Sequence, residues 1–215
     1  NYFKNRLNEL QIRKMYFKNS LGTDLIVEIP EGNTWLNLDK KDMTGNYTIN
    51  NMPSYEIFNT PDYRKTNGIV YASRPLYYND SIISDFSITF KDGKAIECKA
   101  EEGQKLLESL LFDNKNTCYL GEVALVPNSS PISQTGLVFN KTLFDENASC
   151  HLAVGRGFTK NFDNYENLSD EELIAKGLNI TNIHVDFMFG TPDLDVLAET
   201  NEGEKLILKK GEFNL

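Results

Sequence analysis

Ser87-Ile-Thr-Phe-Lys-Asp-Gly-Lys-Ala-Ile-Glu-Cys98 is the stretch with the strongest local structural signal in this sequence. Apolar and polar residues alternate on both sides of Asp92-Gly93, and this dipeptide favours the tight turn of a β-hairpin. The segment that follows, residues 101–111, has leucines at helical spacing, namely Leu106, Leu107, Leu110 and Leu111. It is predicted to form an amphipathic helix that packs on the hairpin's sheet.

Outward from the hairpin, most of the other segments predict strands. Residues 25–29 are rich in β-branched side chains and stop at Pro30, as a strand does. Three further apolar runs have strand length, at residues 119–127, 136–139 and 183–189. Residues 197–199 and 205–209 flank a polar turn and predict a second hairpin.

Two other segments predict helices. Residues 7–17 carry an irregular helical stripe of apolar side chains. Ser169-Asp-Glu-Glu172 has the form of a capping box, and Gly177 is placed to end the short helix that follows. Strands outnumber helices, so the predicted fold class is α+β, with a mixed, largely antiparallel sheet, frequent hairpins and a few packed helices. Residues 1–215 contain no linker rich enough in Pro, Gly or Ser to divide them, and a single domain is expected.

The composition excludes several kinds of partner. The 22 basic and 31 acidic residues give a formal net charge of −9, whereas a protein that binds nucleic acid or an anionic membrane needs a basic surface. No apolar run approaches the roughly 18 residues of a membrane-spanning helix. Three cysteines without a CxxC pair disfavour a disulfide framework, and we expect reduced, mostly buried thiols in a cytoplasmic protein.

The two histidines of the chain, His151 and His184, are the first candidates for metal ligands. In a strand, His184 and Asp186 lie on the same face while Val185 and Phe187 face the packing side. An imidazole and a carboxylate held one strand spacing apart suit a divalent cation. A structural His–Asp hydrogen bond at the surface of the sheet explains the same pair. His151 follows two acids and an amide and precedes small residues, which would let other groups come close.

Two glutamates stand among apolar neighbours. Glu122 lies in Leu-Gly-Glu-Val-Ala-Leu-Val-Pro127, and Glu56 lies between aromatic and aliphatic residues. A buried carboxylate is costly unless it is paired or bound to a cation. Taken singly, either glutamate is explained better by a salt bridge or by an exposed edge.

Four segments together resemble a known family. They are Asn51-Met-Pro-Ser-Tyr-Glu-Ile-Phe58, residues 120–127, Gly136-Leu-Val-Phe-Asn-Lys-Thr-Leu-Phe-Asp-Glu-Asn-Ala-Ser-Cys-His151 and residues 183–190. In this order they resemble the motifs of the thermophilic-type metalloaminopeptidases, the family of aminopeptidases T and S. The resemblance covers nearly the whole chain but only the carboxy-terminal, metal-bearing half of the family. It implies that the family's amino-terminal α/β domain is absent from this sequence.

The resemblance implies a site for two divalent ions of zinc, cobalt or manganese. Its implied ligands are Glu56, Glu122, His151, His184 and Asp186, with Glu122 bridging the two ions. A charge count agrees, since three carboxylates and two neutral imidazoles carry −3 against +4 for the ions, and the surplus holds a hydroxide. Open coordination positions remain for water and substrate, as a catalytic site requires.

The implied activity is removal of the first residue from peptides with a free amino terminus. Because both histidines are ligands, a carboxylate or the bound water must carry the proton. Glu146 is a candidate for this proton transfer. A structural role, in which Glu146 supports His151, explains its position in the motif equally well. Where the family carries a tyrosine seven residues beyond the first histidine, this chain has Phe158, and Tyr165 replaces that hydroxyl only if the following loop folds back.

The family resemblance also favours a homodimer. An alternative function is a non-catalytic domain or fragment that folds and binds metal or a partner without turnover. A phosphatase is disfavoured because no basic cluster lies near the motifs. Arg156 is expected to be a charge partner of nearby acids rather than a substrate contact.

Overall fold

The computed structural model describes residues 1–41, 43–49 and 54–215. Its helices are α1 (Tyr2–Glu9), α2 (Gln104–Phe112), α3 (Pro131–Gln134), α4 (Thr142–Asp145) and α5 (Asp170–Lys176), with 3₁₀ turns at Glu146–Ala148, Thr159–Asn161 and Tyr165–Asn167. Its strands are β1 (Lys14–Lys18), β2 (Asp24–Glu28), β3 (Asp39–Lys41), β4 (Tyr47–Ile49), β5 (Ile57–Asn59), β6 (Asn67–Tyr71), β7 (Leu76–Tyr78), β8 (Ser81–Lys91), β9 (Lys94–Glu102), β10 (Leu120–Leu125), β11 (His151–Gly155), β12 (His184–Met188), β13 (Asp195–Thr200), β14 (Gly203–Lys209) and β15 (Glu212–Phe213).

The hairpin predicted around Asp92-Gly93 is confirmed as β8 and β9, the longest strands of the described chain. Asp92 and Gly93 have φ angles of 49° and 81°. Positive φ at both central residues gives the turn a twist that matches its strands. Helix α2 packs beside this hairpin and buries Leu107, Leu110 and Leu111.

The larger sheet has the strand order β15-β14-β13-β1-β2-β6-β8-β7, with β9 added to β8. Every strand pairing among the described residues is antiparallel, which confirms the α+β class. A second sheet has the order β12-β11-β10-β5, and β3 pairs with β4 alone. One continuous apolar cluster joins the two larger sheets, with Phe17, Leu25, Phe86 and Phe187 among its buried members.

Three predictions about element boundaries are wrong. Residues 7–17 do not form one helix, because α1 ends at Glu9 and Lys14–Lys18 is a strand whose Met15 and Phe17 are buried in the alternating pattern of a sheet. The helix after the hairpin begins at Gln104 rather than at residue 101, since β9 runs to Glu102 and Gly103 turns the chain at φ 78°.

The third is the strand at 136–139, which does not exist. Leu137 and Val138 are exposed there. The backbone N–H of Phe139 donates to the Asp145 carboxylate at 2.9 Å, and that of Lys141 donates to the same group at 3.1 Å. These donors are satisfied by a side chain instead of a neighbouring strand, so the segment has no reason to extend a sheet.

The predictions for the capped helix, the second hairpin and the cysteines are confirmed. Helix α5 has both hydrogen bonds of the capping box between Ser169 and Glu172, and Gly177 ends it at φ 115°. β13 and β14 form the second hairpin. The cysteines, Cys98, Cys118 and Cys150, are free and buried. Helices long and apolar enough to cross a membrane are absent from the described residues.

The turn at Gly93 gives a test of the hairpin. A Cβ at this position would overlap the carbonyl oxygen of Tyr63, and the positive φ disfavours any side chain. Gly93→Ala should therefore lower the free energy of unfolding by about 2–4 kcal/mol, measured by denaturant titration.

Gly203→Ala is the matched control, because Gly203 has φ 92° but a Cβ added there would meet no described atom within 4 Å. It should cost about 1 kcal/mol from the positive φ alone. Equal losses for the two variants would contradict the packing assigned to Gly93.

Candidate metal centre

The four-stranded sheet carries all five side chains predicted as ligands. Glu122 lies on β10, His151 on β11, and His184 and Asp186 on β12. Glu56 immediately precedes β5. Residues 51–53 of the motif that contains Glu56 lie outside the described residues. The five side chains therefore come from four chain segments that meet only when this sheet forms.

The two faces of this sheet have different roles. Opposed residues of antiparallel strands share a face, and here the register places Glu122 opposite Ala153 and Ala153 opposite Asp186. The opposite face is apolar and belongs to the main core, through Ile57, Val123, Leu125, Leu152, Val154 and Phe187. The predicted division, with His184 and Asp186 on one side and Phe187 in packing, is confirmed.

Small residues leave room between the ligands. Ala153 separates Glu122 from Asp186, Ala124 lies opposite His151, and Gly155 lies opposite His184. Alanine and glycine project little above the sheet, so carboxylate and imidazole groups from adjacent strands converge over them. Longer side chains at these positions would occupy the space where the ligand atoms meet.

A β-bulge in β10 directs Glu122 into the site. The register shifts between Leu120 and Glu122, so that one extra residue, Gly121, is inserted opposite β11. Leu120 packs in the apolar core, while Glu122, two residues later, faces the other side. Strict alternation would put both on one face, and the bulge re-aims the second. The bulge is absent from the sequence-based prediction, and Gly121 is the signal that could have indicated it.

The five side chains form two groups that share one carboxylate. Ligand atoms of Glu56, Glu122 and His151 lie within 4.8 Å of one another, and so do those of Glu122, His184 and Asp186. His151 Nε2 is 3.0 Å from Glu56 Oε2. His184 Nε2 is 3.1 Å from both Glu122 Oε2 and Asp186 Oδ1. Glu122 is thus the side chain that both groups contain.

Both imidazoles are oriented with Nε2 toward the carboxylates. His151 Nδ1 lies 3.1 Å from the carbonyl oxygen of Ser149, and His184 Nδ1 lies 2.7 Å from that of Arg156. A carbonyl only accepts, so each Nδ1 carries the hydrogen and each neutral ring has its lone pair on Nε2. Histidine ligands of metal ions are commonly fixed by a hydrogen bond of this kind.

The surroundings of His151 indicate that these residues fit a cation. His151 Nε2 is fully buried and, although close to Glu56, has no hydrogen-bond partner among the described residues. Glu56, Glu122 and Asp186 are also buried. A buried nitrogen lone pair beside the carboxylates of Glu56 and Glu122 is satisfied by a positive charge, either a proton or a metal ion.

The pKa values of the two histidines also indicate that the cluster favours positive charge. Burial disfavours the imidazolium of His151, yet the adjacent Glu56 carboxylate outweighs burial and raises the pKa to about 10. His184 is likewise disfavoured by burial, but Asp186 and Glu122 raise its pKa to about 11. The pKa of Glu122 is raised by burial, whereas hydrogen bonding to His184 opposes that rise. The metal-free cluster therefore holds protons where cations fit.

Other candidate residues lie around the cluster. Burial and the Glu56 carboxylate raise the pKa of Glu146 to about 9, so this carboxyl group is close to the site but outside both ligand groups. The Phe158 ring centroid lies 4.9 Å from that of His184. The hydroxyl of Tyr165, the proposed substitute for the family tyrosine, donates to Glu166 instead.

Arg156 forms no salt bridge with any described residue. The prediction that it is a charge partner of nearby acids is therefore wrong for the described part of the chain.

Comparison with known proteins shows the family of this chain. The sequence profile of the family described as thermophilic metalloprotease (M29) matches residues 1–213. The chain belongs to this family. Among relatives, aminopeptidase PepS of Streptococcus thermophilus is 38% identical over 96% of the chain and 50% of its own length. Aminopeptidase AmpS of Bacillus subtilis is 39% identical over 93% of the chain and 48% of its own length.

A solved structure from the same family has the same fold. Wild-type AmpT from Thermus thermophilus superposes with a TM-score of 0.91 and 34% identity, over 99% of this chain and 52% of that one. The chain thus spans about half the length of the relatives it matches. The resemblance drawn from the sequence motifs is confirmed, and the family is one of metalloproteases.

Asn147, which is absent from the predicted site, connects two of the ligand segments. This buried side chain accepts the Tyr55 N–H at 2.6 Å through Oδ1 and donates to the Leu143 carbonyl oxygen at 3.1 Å. Tyr55 directly precedes Glu56, and Asn147 lies four residues before His151. Asn147 therefore fixes the backbone beside one ligand to the segment that leads to another.

We expect Asn147→Ala to weaken divalent-metal binding by about 10–100-fold, the usual effect of losing a group that orients ligands. The measurement is calorimetric titration of the metal-free protein with Zn²⁺. Asn8→Ala is a matched control, since Asn8 also makes two side-chain hydrogen bonds to backbone, both with Trp35. If both variants lost the same affinity for Zn²⁺, the effect of Asn147→Ala would come from a general loss of protein stability.

Metal analysis by mass spectrometry tests the ligand set. Wild-type protein should retain close to two ions per chain, because two groups of ligand atoms are present. His151→Ala and His184→Ala should each disrupt the pair, and Glu122→Gln should weaken both ions because Glu122 belongs to both groups. A well-folded wild-type protein that retains no metal would contradict the assignment.

Proposed function

We propose that this chain is the metal-bearing catalytic unit of an aminopeptidase that releases the amino-terminal residue of peptides. The observation that carries the proposal is the pair of ligand groups that share Glu122. Membership of a metalloprotease family and the names of the aligned aminopeptidases support it. Because the chain spans about half of those relatives, the activity of the chain by itself is part of the proposal.

In this proposal, Glu56, Glu122 and His151 would hold one divalent ion, and Glu122, His184 and Asp186 would hold the other. Zinc, cobalt and manganese all suit such a set of oxygen and nitrogen donors. When bound, the ions supply Lewis acidity toward a carbonyl group and lower the pKa of water. The chain's own residues fix the position of these ligands through the sheet and through the hydrogen bonds at both Nδ1 atoms.

Glu146 is the carboxyl group that we assign to proton transfer. Both histidines are committed to the ligand groups, so no imidazole is left to act as a general base. Glu146 lies in the 3₁₀ turn between α4 and β11, near Glu56 and His151 but outside the ligand set. Divalent ions bound beside it would favour the carboxylate form over the protonated one. A carboxylate so placed can take a proton from water and deliver it to the leaving amine.

The proposal extends to the assembly and location of the protein. We propose a cytoplasmic homodimer that acts on peptides with a free amino terminus. The three free, buried cysteines suit a reducing compartment. The family resemblance supports the dimer, and light scattering on the purified chain measures its mass directly.

A second candidate function is a domain that binds metal without turnover. Phe158 favours this alternative, because its ring lies against His184 and has no hydroxyl to stabilise an oxyanion. Bound metal without any release of amino acid from peptides would favour this alternative over catalysis.

The test is release of free leucine from leucine amide and from short peptides. We expect activity that a chelator abolishes and that added Zn²⁺ or Co²⁺ restores. Glu146→Gln should lower the rate by about 100-fold or more, as loss of a general acid or base does, while metal content stays unchanged. Loss of metal in Glu146→Gln would instead assign Glu146 to support of His151.

A further inference from the structure

A cavity of about 610 Å³ opens beside the metal centre. Its apolar walls are Leu36, Leu38, Phe58, Phe158 and Tyr165. Phe158 joins the cavity to the site, since its ring lies 4.9 Å from that of His184 and 5.2 Å from that of Phe58. A group held at the metal centre therefore has an apolar space directly adjacent to it.

Two basic residues, Arg156 and Lys160, also line this cavity. The lining contains no Asp or Glu of the described residues. Neither cation forms a salt bridge with a described residue, although the chain carries 31 acidic side chains against 22 basic ones. In a protein with net charge −9, two unpaired cations in one cavity make a local site for an anion.

The backbone of Arg156 is held rigidly at the edge of the metal centre. Its N–H donates to the Ile183 carbonyl oxygen at 2.7 Å, and its own carbonyl oxygen accepts from His184 Nδ1 at 2.7 Å. The guanidinium thus extends from a fixed point next to a ligand. Arginine binds a carboxylate through two parallel hydrogen bonds, a geometry that lysine does not provide.

We propose that this cavity is a subsite for a carboxylate on the substrate, with Arg156 as the anchoring residue and the apolar walls holding the neighbouring side chain. The proposal deepens the aminopeptidase function and rests on it for the identity of the substrate as a peptide. The carboxylate has two sources, the carboxyl terminus of a dipeptide and the side chain of an amino-terminal glutamate. In either case Arg156 determines which peptides bind well.

The experiment measures binding without turnover on the zinc-loaded chain. The probes are dipeptide analogues in which a CH₂–NH group replaces the amide, so that nothing is hydrolysed. One pair is the leucine–phenylalanine analogue with a free carboxyl terminus and its carboxamide. The other is the glutamate–phenylalanine carboxamide and its glutamine counterpart. Calorimetry gives the dissociation constant of each.

We expect the charged member of one pair to bind at least about tenfold more tightly than its neutral partner. The pair that shows this difference identifies the source of the carboxylate. Arg156→Gln should abolish the difference, and Arg156→Lys should retain part of it. Arg13→Gln is the control, because Arg13 is an exposed arginine that lines a different cavity, and it should leave the difference intact.

Equal binding within both pairs, a preference that survives Arg156→Gln, or no binding of any probe overturns the proposal. Hydrolysis of leucine amide, which has no carboxylate, is measured in parallel. If leucine amide is not hydrolysed, the proposed aminopeptidase function fails. If leucine amide is hydrolysed but the charged probes show no advantage, only the proposed subsite fails. The two failures are therefore distinguishable.

Discussion

Mutual repulsion among three buried carboxylates is the constraint on which this structure depends. Glu56, Glu122 and Asp186 are packed into a space that also excludes solvent from His151. Removing such charges from water is costly, and close packing of like charges adds to that cost. The cluster persists because the opposite face of the same sheet is part of the main core, which supplies the favourable free energy of apolar burial. The apolar face therefore stabilises what the polar face destabilises.

The rigidity of the sheet then determines what the polar face can bind. The positions of Glu122 and Asp186 follow from strand register, and Ala153 keeps the space between them open. Hydrogen bonds to carbonyl oxygens fix both imidazoles in one orientation. A preorganised set of donors binds a cation without first having to rearrange, so less of the binding free energy is spent on ordering the site.

Much of this arrangement is predictable from the sequence, because the relevant signals are local. The Asp92-Gly93 turn, the capping box at Ser169 and the alternation around His184 each depend on a few neighbouring residues. The expected ligand set follows from motif resemblance, and the structure brings those residues together. The prediction for residues 7–17 is wrong because their irregular apolar pattern fits a helix about as well as a strand, and pairing with β2 and β13 decides between them.

Most of the features that the sequence did not predict depend on contacts between residues far apart in the chain. The bulge at Gly121 is defined by its register with β11, and the role of Asn147 is defined by Tyr55. The missing strand at 136–139 depends on Asp145, whose carboxylate accepts the backbone N–H groups of that segment. Whether Arg156 forms a salt bridge likewise depends on the residues that surround it in space, which its neighbours in the sequence do not reveal.

The dispersal of the ligands along the chain has a consequence for folding. They lie between residues 56 and 186, on four segments that are joined by long connections. Contacts between residues far apart in sequence form slowly, because the intervening chain must lose entropy before they are made. The cluster is therefore completed late, after β10, β11 and β12 are paired. A chain emerging during synthesis cannot assemble the five proposed ligands until residue 186 is available, so metal binding at this cluster would report that its sheet has formed.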